Sequence, residues 1–269
     1  MQPTDKPAPC LKSIAAVLDS ATAIENGIRI ASAAEWMQGR TVYGGLSSAV
    51  ALAAARRVIP DLPALASFQI AFAGPISGAI SATARLLRRG RSAAFVEARV
   101  VGEAGDGLIA TFLFLSPRES ALSLDIAAPA PVPPPAADAK LRTGPPGFFA
   151  CNFEFSRSCE TGSDNKAHLM RLVRLVERGG LHPEMELLAI GDALPPAAFG
   201  LLPSERVPVS SLNWSGNLLR PAVAPADGWW LLETRSDLVS GGFSSQQMTI
   251  WDSTGRRAAD AMQGVAVFG

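Results

Sequence analysis

The spacing of apolar positions along the chain predicts a helix followed by a sheet. Residues 41–58, TVYGGLSSAVALAAARRV, are rich in Ala and Leu and long enough for a buried helix. The four apolar runs that come next alternate or are β-branched, and turn residues bound them, as is typical of strands. These runs are LASFQIAF, ISATARLLRR, SAAFVEARVVG and GLIATFLFLS.

The same order of elements recurs in the second half of the chain. HPEMELLAIGDALPPAAFG, residues 182–200, takes the position of the helix, and four alternating runs follow it: VPVSSLNWSGNLLRP, WWLLETRSDLV, GFSSQQMTIWD and RRAADAMQGVAVF. The paired landmarks are Gly107 with Gly255 at an offset of 148 (255 − 107), Pro75 with Pro221 at 146 (221 − 75), and Gly44-Gly45 with Gly191-Asp192 at 147 (191 − 44). We interpret the chain as a tandem-duplicated α+β unit, each copy an antiparallel sheet wrapped around a central helix.

A Pro- and Ala-rich segment separates the two copies. Its sequence, which includes AAPAPVPPPAADAK, cannot sustain a helix or a strand for long and is typical of an extended linker. We therefore predict an N-terminal unit at residues 1–118, a linker at 119–147 and a C-terminal unit at 148–269.

Composition narrows the class of protein. The 269 residues are 48% hydrophobic and 18% charged with no net formal charge, which suits a soluble protein with a well-packed core. A neutral balance gives no electrostatic reason to expect nucleic acid or an anionic membrane as partner. The first residues, MQPTDKPAPC, do not resemble a signal peptide, and the apolar run at 49–55 is far shorter than the roughly 20 residues that span a bilayer. We expect a cytoplasmic protein without a membrane partner.

Cysteine and histidine are too few for a metal centre. Cys10, Cys151 and Cys159 leave one cysteine unpaired under any disulfide scheme and lack metal-type spacing, so we expect reduced thiols. The two histidines are His168, on one face of a predicted strand, and His182, at a predicted helix start where a cap is the ordinary role. With no G-x-S-x-G motif either, we expect no metal, no cofactor and no serine relay.

Three polar positions of the second copy replace Gly or Leu of the first at the offsets above. A primary amide on an apolar strand face costs roughly 1–3 kcal/mol if it finds no partner, so such replacements indicate a polar site in the second unit. A plain half-buried strand hydroxyl remains the alternative for the serine. The pairs are Asp192 for Gly45, Gln263 for Leu115 and Ser211 for Leu65.

Over nearly its whole length the chain resembles the double-hotdog acyl-CoA thioesterases of the type II, TesB-like group. The resemblance rests on QGRTVYGGLSSAVALAA, LLAIGDALPP, VSSLNWSGNLLRP and IWDSTGRRAADAMQG. It implies hydrolysis of acyl-CoA to a free acid and CoA without a cofactor, by a water that Asp192, Ser211 and Gln263 position. The chain departs from the pattern in having Ser where the best-known members have Thr, Asn213 where an acidic residue often follows, and the pair Pro195-Pro196 early in the second helix.

Other residues are candidates for binding the thioester and CoA. The free backbone N–H groups of Gly44 and Gly45 could stabilise an oxyanion, with close helix–sheet packing as the alternative. Arg88, Arg89 and Arg91 on a predicted hairpin could meet CoA phosphates, although hairpins often carry charge only because they are solvated.

Two other kinds of hotdog protein are alternatives for this sequence, and its sheet edges suggest how the chain assembles. A catalytically weak or silent acyl-thioester-binding protein would share the same shell, whereas a hotdog dehydratase would need a histidine that the predicted strands around the site lack. Because open sheet edges are usually covered by pairing, we also expect a homodimer.

Overall fold

The computed structural model describes residues 12–156, 166–203 and 207–268; Cys10 and Cys159, and the predictions that rest on them, lie outside these ranges. The elements of the first half are α1 (Ile14–Asp19), β1 (Thr22–Ile24), β2 (Gly27–Ile30), β3 (Met37–Gln38), β4 (Thr41–Val42), α2 (Gly44–Val58), β5 (Ala64–Phe72), β6 (Ile80–Arg89), β7 (Ala93–Gly102) and β8 (Gly105–Leu115). Those of the second half are β9 (Leu141–Thr143), β10 (Phe153–Ser156), β11 (His168–Leu175), α3 (Pro183–Gly191), β12 (Val209–Leu218), β13 (Trp230–Ser240), β14 (Phe243–Asp252) and β15 (Arg257–Val267).

One antiparallel sheet of thirteen strands runs through the described residues of both halves. Its order is β1-β2-β6-β7-β8-β5-β12-β15-β14-β13-β11-β10-β9. The halves join where β5 pairs with β12, with Ile70 opposite Trp214 and Phe68 opposite Gly216. This arrangement confirms the predicted α+β architecture with two similar antiparallel units. The prediction of a homodimer stays a prediction.

The two long helices lie side by side and antiparallel against the buried face of this sheet. Near one end of the pair, Arg56 in the last turn of α2 contacts Glu184 in the first turn of α3. At the other end, Tyr43 at the N-cap of α2 hydrogen-bonds the carbonyl of Ala189 near the end of α3. The small, apolar composition of α2 allows it to be buried along most of its length. No helix in the described residues is long and apolar enough to cross a membrane.

The second helix is shorter than the sequence predicts. α3 ends at Gly191, Asp192 is its C-cap, and a separate 3-10 turn at Ala197–Leu201 follows. The cause is the pair Pro195-Pro196, because proline lacks a backbone N–H and its ring collides with the preceding helical turn.

The helix register contradicts the predicted correspondence of Asp192 with Gly45. Tyr43 and His182 occupy the N-cap positions of α2 and α3, which sets the helix offset at 139 (182 − 43). Gly45 therefore lies at the start of its helix and Asp192 beyond the end of the other. The prediction was wrong because it assumed one nearly constant offset, whereas the loop between helix and strand is longer in the second half.

The sheet register confirms one predicted correspondence. The β5–β8 ladder shifts between Leu65 and Ser67, and the β12–β15 ladder shifts between Ser211 and Asn213. Both bulges agree with the offset of 146 (211 − 65) that pairs Ser211 with Leu65.

The same ladders overturn the correspondence of Gln263 with Leu115. Phe68 lies opposite Phe112 in the first half, and Trp214 lies opposite Gln263 in the second. Since Trp214 matches Phe68 at the offset of 146, Gln263 matches Phe112 at 151 (263 − 112). The amide thus replaces a fully buried phenylalanine rather than the exposed Leu115.

The segment between the halves crosses the outer face of the C-terminal half of the sheet. Trp251 Nε1 donates to the carbonyl of Ala128 at 3.0 Å, and the N–H of Ala130 donates to Gly255 at 2.9 Å. Ala130 and Val132 pack on a small apolar cluster of Met170, Leu172, Trp229, Leu231 and Trp251. The short strand β9 also falls within the predicted linker range of 119–147.

Candidate active site

Asp192 is the centre of a polar site between the two helices. Its Oδ1 accepts a hydrogen bond from Gln263 Nε2 at 2.9 Å, and its carboxylate also accepts the backbone N–H of Gly45 at the start of α2. A Cβ atom on Gly44 would stand 2.6 Å from Asp192 Oδ2. Glycine at position 44 is therefore what allows the carboxylate to approach the helix N-terminus, where backbone N–H groups and the helix dipole favour negative charge.

Burial raises the pKa of Asp192 to about 7, although the hydrogen bonds from Gln263 and Gly45 act in the opposite direction. The residue keeps part of its surface exposed, but the carboxylate itself is desolvated enough for burial to be the largest cause. Within the described part of the chain, no lysine or arginine forms an ion pair with it. A carboxylate whose pKa lies near neutrality is well matched to accept a proton and return it.

Gln263 is held by a second glutamine that the sequence interpretation missed. Gln246 on β14 lies directly opposite Gln263 on β15, and both side chains are buried. Gln246 Nε2 donates to Gln263 Oε1 at 2.6 Å, and Gln246 Oε1 accepts the N–H of Ala197 at 2.7 Å. The alternation of Ser244, Gln246 and Met248 on one face of β14 placed polar groups on a buried face and was the signal that could have revealed it.

Ser211 lies on the same face of the sheet as Gln263. It is opposite Val265 on β12–β15, and Val265 is two residues from Gln263, so all three side chains point to one side. Ser211 is half-buried, and within the described residues its hydroxyl forms no hydrogen bond. The structure therefore joins Asp192 and Gln263 directly and places Ser211 on the same face of the sheet, without a hydrogen bond from its hydroxyl to either residue.

Tyr43 anchors the start of α2 against the end of α3. Its ring stacks on Phe149 at a centroid distance of 4.1 Å, and its hydroxyl donates to the carbonyl of Ala189 at 2.7 Å. Burial, with a further contribution from Asp192, raises the pKa of the Tyr43 hydroxyl well above its ordinary value. Tyr43 therefore remains a neutral donor that fixes the distance between the two helix ends that form the site.

The candidate phosphate-binding arginines lie at the other end of α2. Arg89 Nη2 donates to the carbonyl of Pro60, just beyond the end of α2, at 2.8 Å. Arg88 and Arg91 are exposed. α2 has 15 residues, so it is about 22 Å long at a rise of 1.5 Å per residue. The structure does not bring these arginines to Asp192.

Two buried glutamates in the first turn of α3 were also missed by sequence reasoning. Glu184 accepts hydrogen bonds from Arg56 Nε at 2.8 Å and from the backbone N–H of Leu65 at 2.7 Å. Glu186 accepts the indole N–H of Trp230 at 2.9 Å. Both are paired, and they connect α3 to α2 and to the sheet.

Both histidines form contacts that stabilise the fold. His182 Nδ1 accepts the N–H of Glu184 at 3.3 Å, which confirms the predicted helix cap. His168 lies on strand β11, also as predicted, and contacts Glu233 at 2.7 Å. In the described residues no group of three or more His, Cys, Asp or Glu side chains could hold a metal ion.

Solved structures with the same fold are numerous. An acyl-CoA thioesterase II, TesB2, from Mycobacterium marinum is 18% identical with a TM-score of 0.70, covering 94% of this chain and 96% of that one. A TesB protein from Mycobacterium avium subsp. paratuberculosis is 16% identical with a TM-score of 0.72, covering 94% and 97%. A hot dog protein from Alicyclobacillus acidocaldarius is 19% identical with a TM-score of 0.80, covering 96% and 99%. At these identities the likeness establishes the double hotdog fold.

Family membership follows from the sequence itself. Residues 32–115 match the acyl-CoA thioesterase N-terminal domain, and residues 126–267 match the acyl-CoA thioesterase C-terminal domain. No curated protein matches the chain. The two domain matches come in the expected order and take up most of the chain, and they agree with the duplicated fold. The chain belongs to the acyl-CoA thioesterase family and is a thioester hydrolase with two hotdog units.

Proposed function

We propose that the protein hydrolyses acyl-CoA by direct attack of a water molecule held by Asp192, Ser211 and Gln263. The observation that carries the proposal is the hydrogen bond of 2.9 Å between Gln263 and Asp192, residues 71 positions apart in the chain. This contact stands at the N-terminus of α2, and burial raises the pKa of Asp192 to about 7. The free hydroxyl of Ser211 on the same face adds a group that both donates and accepts.

The chemistry needs no nucleophilic side chain. Asp192 takes a proton from the bound water as the water oxygen forms a bond to the thioester carbonyl carbon. The tetrahedral intermediate then collapses, the carbon–sulfur bond breaks, and the departing thiolate of CoA recovers the proton from the Asp192 carboxyl group. The products are the free acid and CoA, and Asp192 returns to its starting state.

The first turn of α2 supplies the donors for the oxyanion in this mechanism. Its leading N–H groups have no partner within the helix, and the positive end of the helix dipole faces the site. The N–H of Gly45 already donates to Asp192, so Gly44 is the proposed donor to the thioester oxygen. Its missing side chain gives the thioester close access to the backbone.

The test is a panel of acyl-CoA esters of different chain lengths with a thiol reporter for released CoA. Asp192→Asn should lower kcat by about tenfold or more, because the amide cannot accept the proton. Asp106→Asn, at an exposed hairpin in the first half, is the matched control and should retain full activity. In the unmodified protein, kcat/KM should rise with pH through about 7 as Asp192 loses its proton.

Two results would contradict the proposal. Normal turnover by Asp192→Asn would remove Asp192 from the chemistry. Binding of every ester without release of CoA would indicate the catalytically silent acyl-thioester binder instead, whatever the geometry of the site.

A further inference from the structure

The hydrogen bonds that reach Asp192 form one directed chain. Ala197 N–H donates to Gln246 Oε1 at 2.7 Å, Gln246 Nε2 donates to Gln263 Oε1 at 2.6 Å, and Gln263 Nε2 donates to Asp192 Oδ1 at 2.9 Å. Both glutamine side chains are almost fully buried, with exposed fractions of 1% and 3%. Solvent therefore cannot substitute freely for any of these partners.

The N–H of Ala197, the first group in this series of hydrogen bonds, determines which way every bond in the series points. An N–H can only donate, so Gln246 must turn its oxygen toward Ala197 and its NH2 group toward Gln263. Gln263 must then present its own oxygen to Gln246 and its NH2 group to Asp192. An amide can face either way in isolation, but this sequence of partners leaves one orientation in which every group is satisfied.

The proline pair explains why Ala197 is the starting point. Pro195 and Pro196 have no N–H, so Ala197 supplies the first backbone donor after them, and Pro196 is the N-cap of the 3-10 turn that begins at Ala197. The prolines that shorten α3 thus also hold one donor rigidly behind the site.

We propose that Gln246 is a positioning residue, which sets the amide orientation of Gln263 so that Gln263 donates to Asp192 rather than repelling it. This inference rests on the proposed function of Asp192. Its role differs from that of a packing residue because a packing residue would not influence the proton affinity of Asp192. Donation from Gln263 lowers the pKa of Asp192, so loss of that donation should raise it.

The experiment replaces Gln246 and its neighbour identically. Gln246→Met keeps the length of the side chain and removes both amide groups, whereas Gln247→Met makes the same change on the exposed face of β14. We expect kcat of Gln246→Met to fall by about tenfold, with KM changed by less than about threefold. We expect the midpoint of its kcat/KM profile to rise by about half a pH unit. Gln247→Met should match the unmodified protein in all three.

Gln246→Glu tests the direction of the chain at almost constant shape. At pH 8 the new carboxylate accepts from Ala197 but cannot donate, so Gln263 turns its NH2 group toward it and its oxygen toward Asp192. Activity should therefore fall further than in Gln246→Met. Circular dichroism and thermal unfolding establish that each variant is folded before kinetics are compared.

Each outcome decides a different question. If folded Gln246→Met and Gln246→Glu keep the normal rate and pH midpoint while Asp192→Asn is inactive, the positioning role is wrong and the proposed function stands. If Asp192→Asn is itself fully active, the proposed function is wrong, and the role of Gln246 that rests on it is wrong as well. Equal losses in both Gln246 variants with an unmoved pH midpoint would show a packing role only and overturn the inference.

Discussion

Each end of the α2–α3 pair holds one carboxylate from α3 or its C-cap. The two carboxylates differ in the groups that they contact. At one end Glu184 meets the guanidinium of Arg56 and the N–H of Leu65. At the other end Asp192 meets the N–H of Gly45 and the amide of Gln263, without an ion pair among the described residues. The antiparallel helices thus place similar groups in two related positions with opposite electrostatic surroundings.

The difference agrees with a structural role for Glu184 and with the reactive role that we propose for Asp192. A cation beside Glu184 compensates the loss of hydration, so its charge serves to connect the helices. Neutral donors beside Asp192 compensate only partly, and burial raises its pKa to about 7. A carboxylate of the second kind can exchange a proton near neutral pH, which the proposed hydrolysis requires.

The two halves of the sheet also differ in the polarity of the face that packs against the helices. The first half has Val96 opposite Phe112, both fully buried. The second half has Gln246 opposite Gln263 at the positions that the register makes equivalent. Of these two equivalent pairs, the one in the second half presents buried amides, which suit the reactive role proposed for Asp192.

The largest expected effect is on stability, when a glutamine replaces the buried phenylalanine that is the first-half equivalent of Gln263. Phe112→Gln removes a buried ring beside Phe68 and Val96 and leaves an amide without hydrogen bonds. We expect the free energy of unfolding to fall by about 4 kcal/mol, with kcat nearly unchanged in the folded fraction. Urea denaturation measures the loss. A change below about 1 kcal/mol would mean that the first half does offer polar partners, and the comparison of the two faces would fail.

The next effect concerns the compensating cation. Arg56→Met leaves Glu184 buried without its ion pair and should lower the free energy of unfolding by about 3 kcal/mol. The site at the other end of α2 should keep its turnover per folded molecule. Arg57→Met, in the same turn but exposed, should change stability by less than about 0.5 kcal/mol. Equal effects of the two substitutions in denaturation experiments would argue against a structural role for Glu184.

The smallest effect is a pH-dependent gain in stability on removing the Asp192 charge. Its folded pKa of about 7 lies above the unfolded value of about 3.9. Asp192 is therefore protonated in both states below about pH 4. Between about pH 4 and 7 only the unfolded state ionises, so the free energy of unfolding falls across this range. Asp192→Asn cannot ionise, so it should match the unmodified protein at pH 3 and be more stable by about 2 kcal/mol at pH 5.5, about midway between the two pKa values. A difference in unfolding free energy that does not vary with pH would contradict a raised pKa.

Local patterns in the sequence were sufficient to predict the main helices and strands and to single out two residues of the candidate site. Alternation predicted the long strands, composition predicted α2, and the polar exceptions on apolar faces singled out Asp192 and Gln263. The proline pair was also visible in the sequence. That the N–H of Ala197 after it donates to Gln246 could not be predicted, because it depends on β14 lying next to Ala197 in the fold.

The sequence by itself determined the order of helices and strands, the duplication and the family, because these depend on spacing within short segments. Only the tertiary structure decided which residues of the two halves are equivalent. Bulges and loop lengths moved the true offsets between 139 for the helices and 151 for the last strand. It also decided that Gly45 and Asp192 are partners across the helix pair rather than counterparts. The physical reason is that an antiparallel arrangement brings the start of one helix to the end of the other, and no local pattern records that meeting.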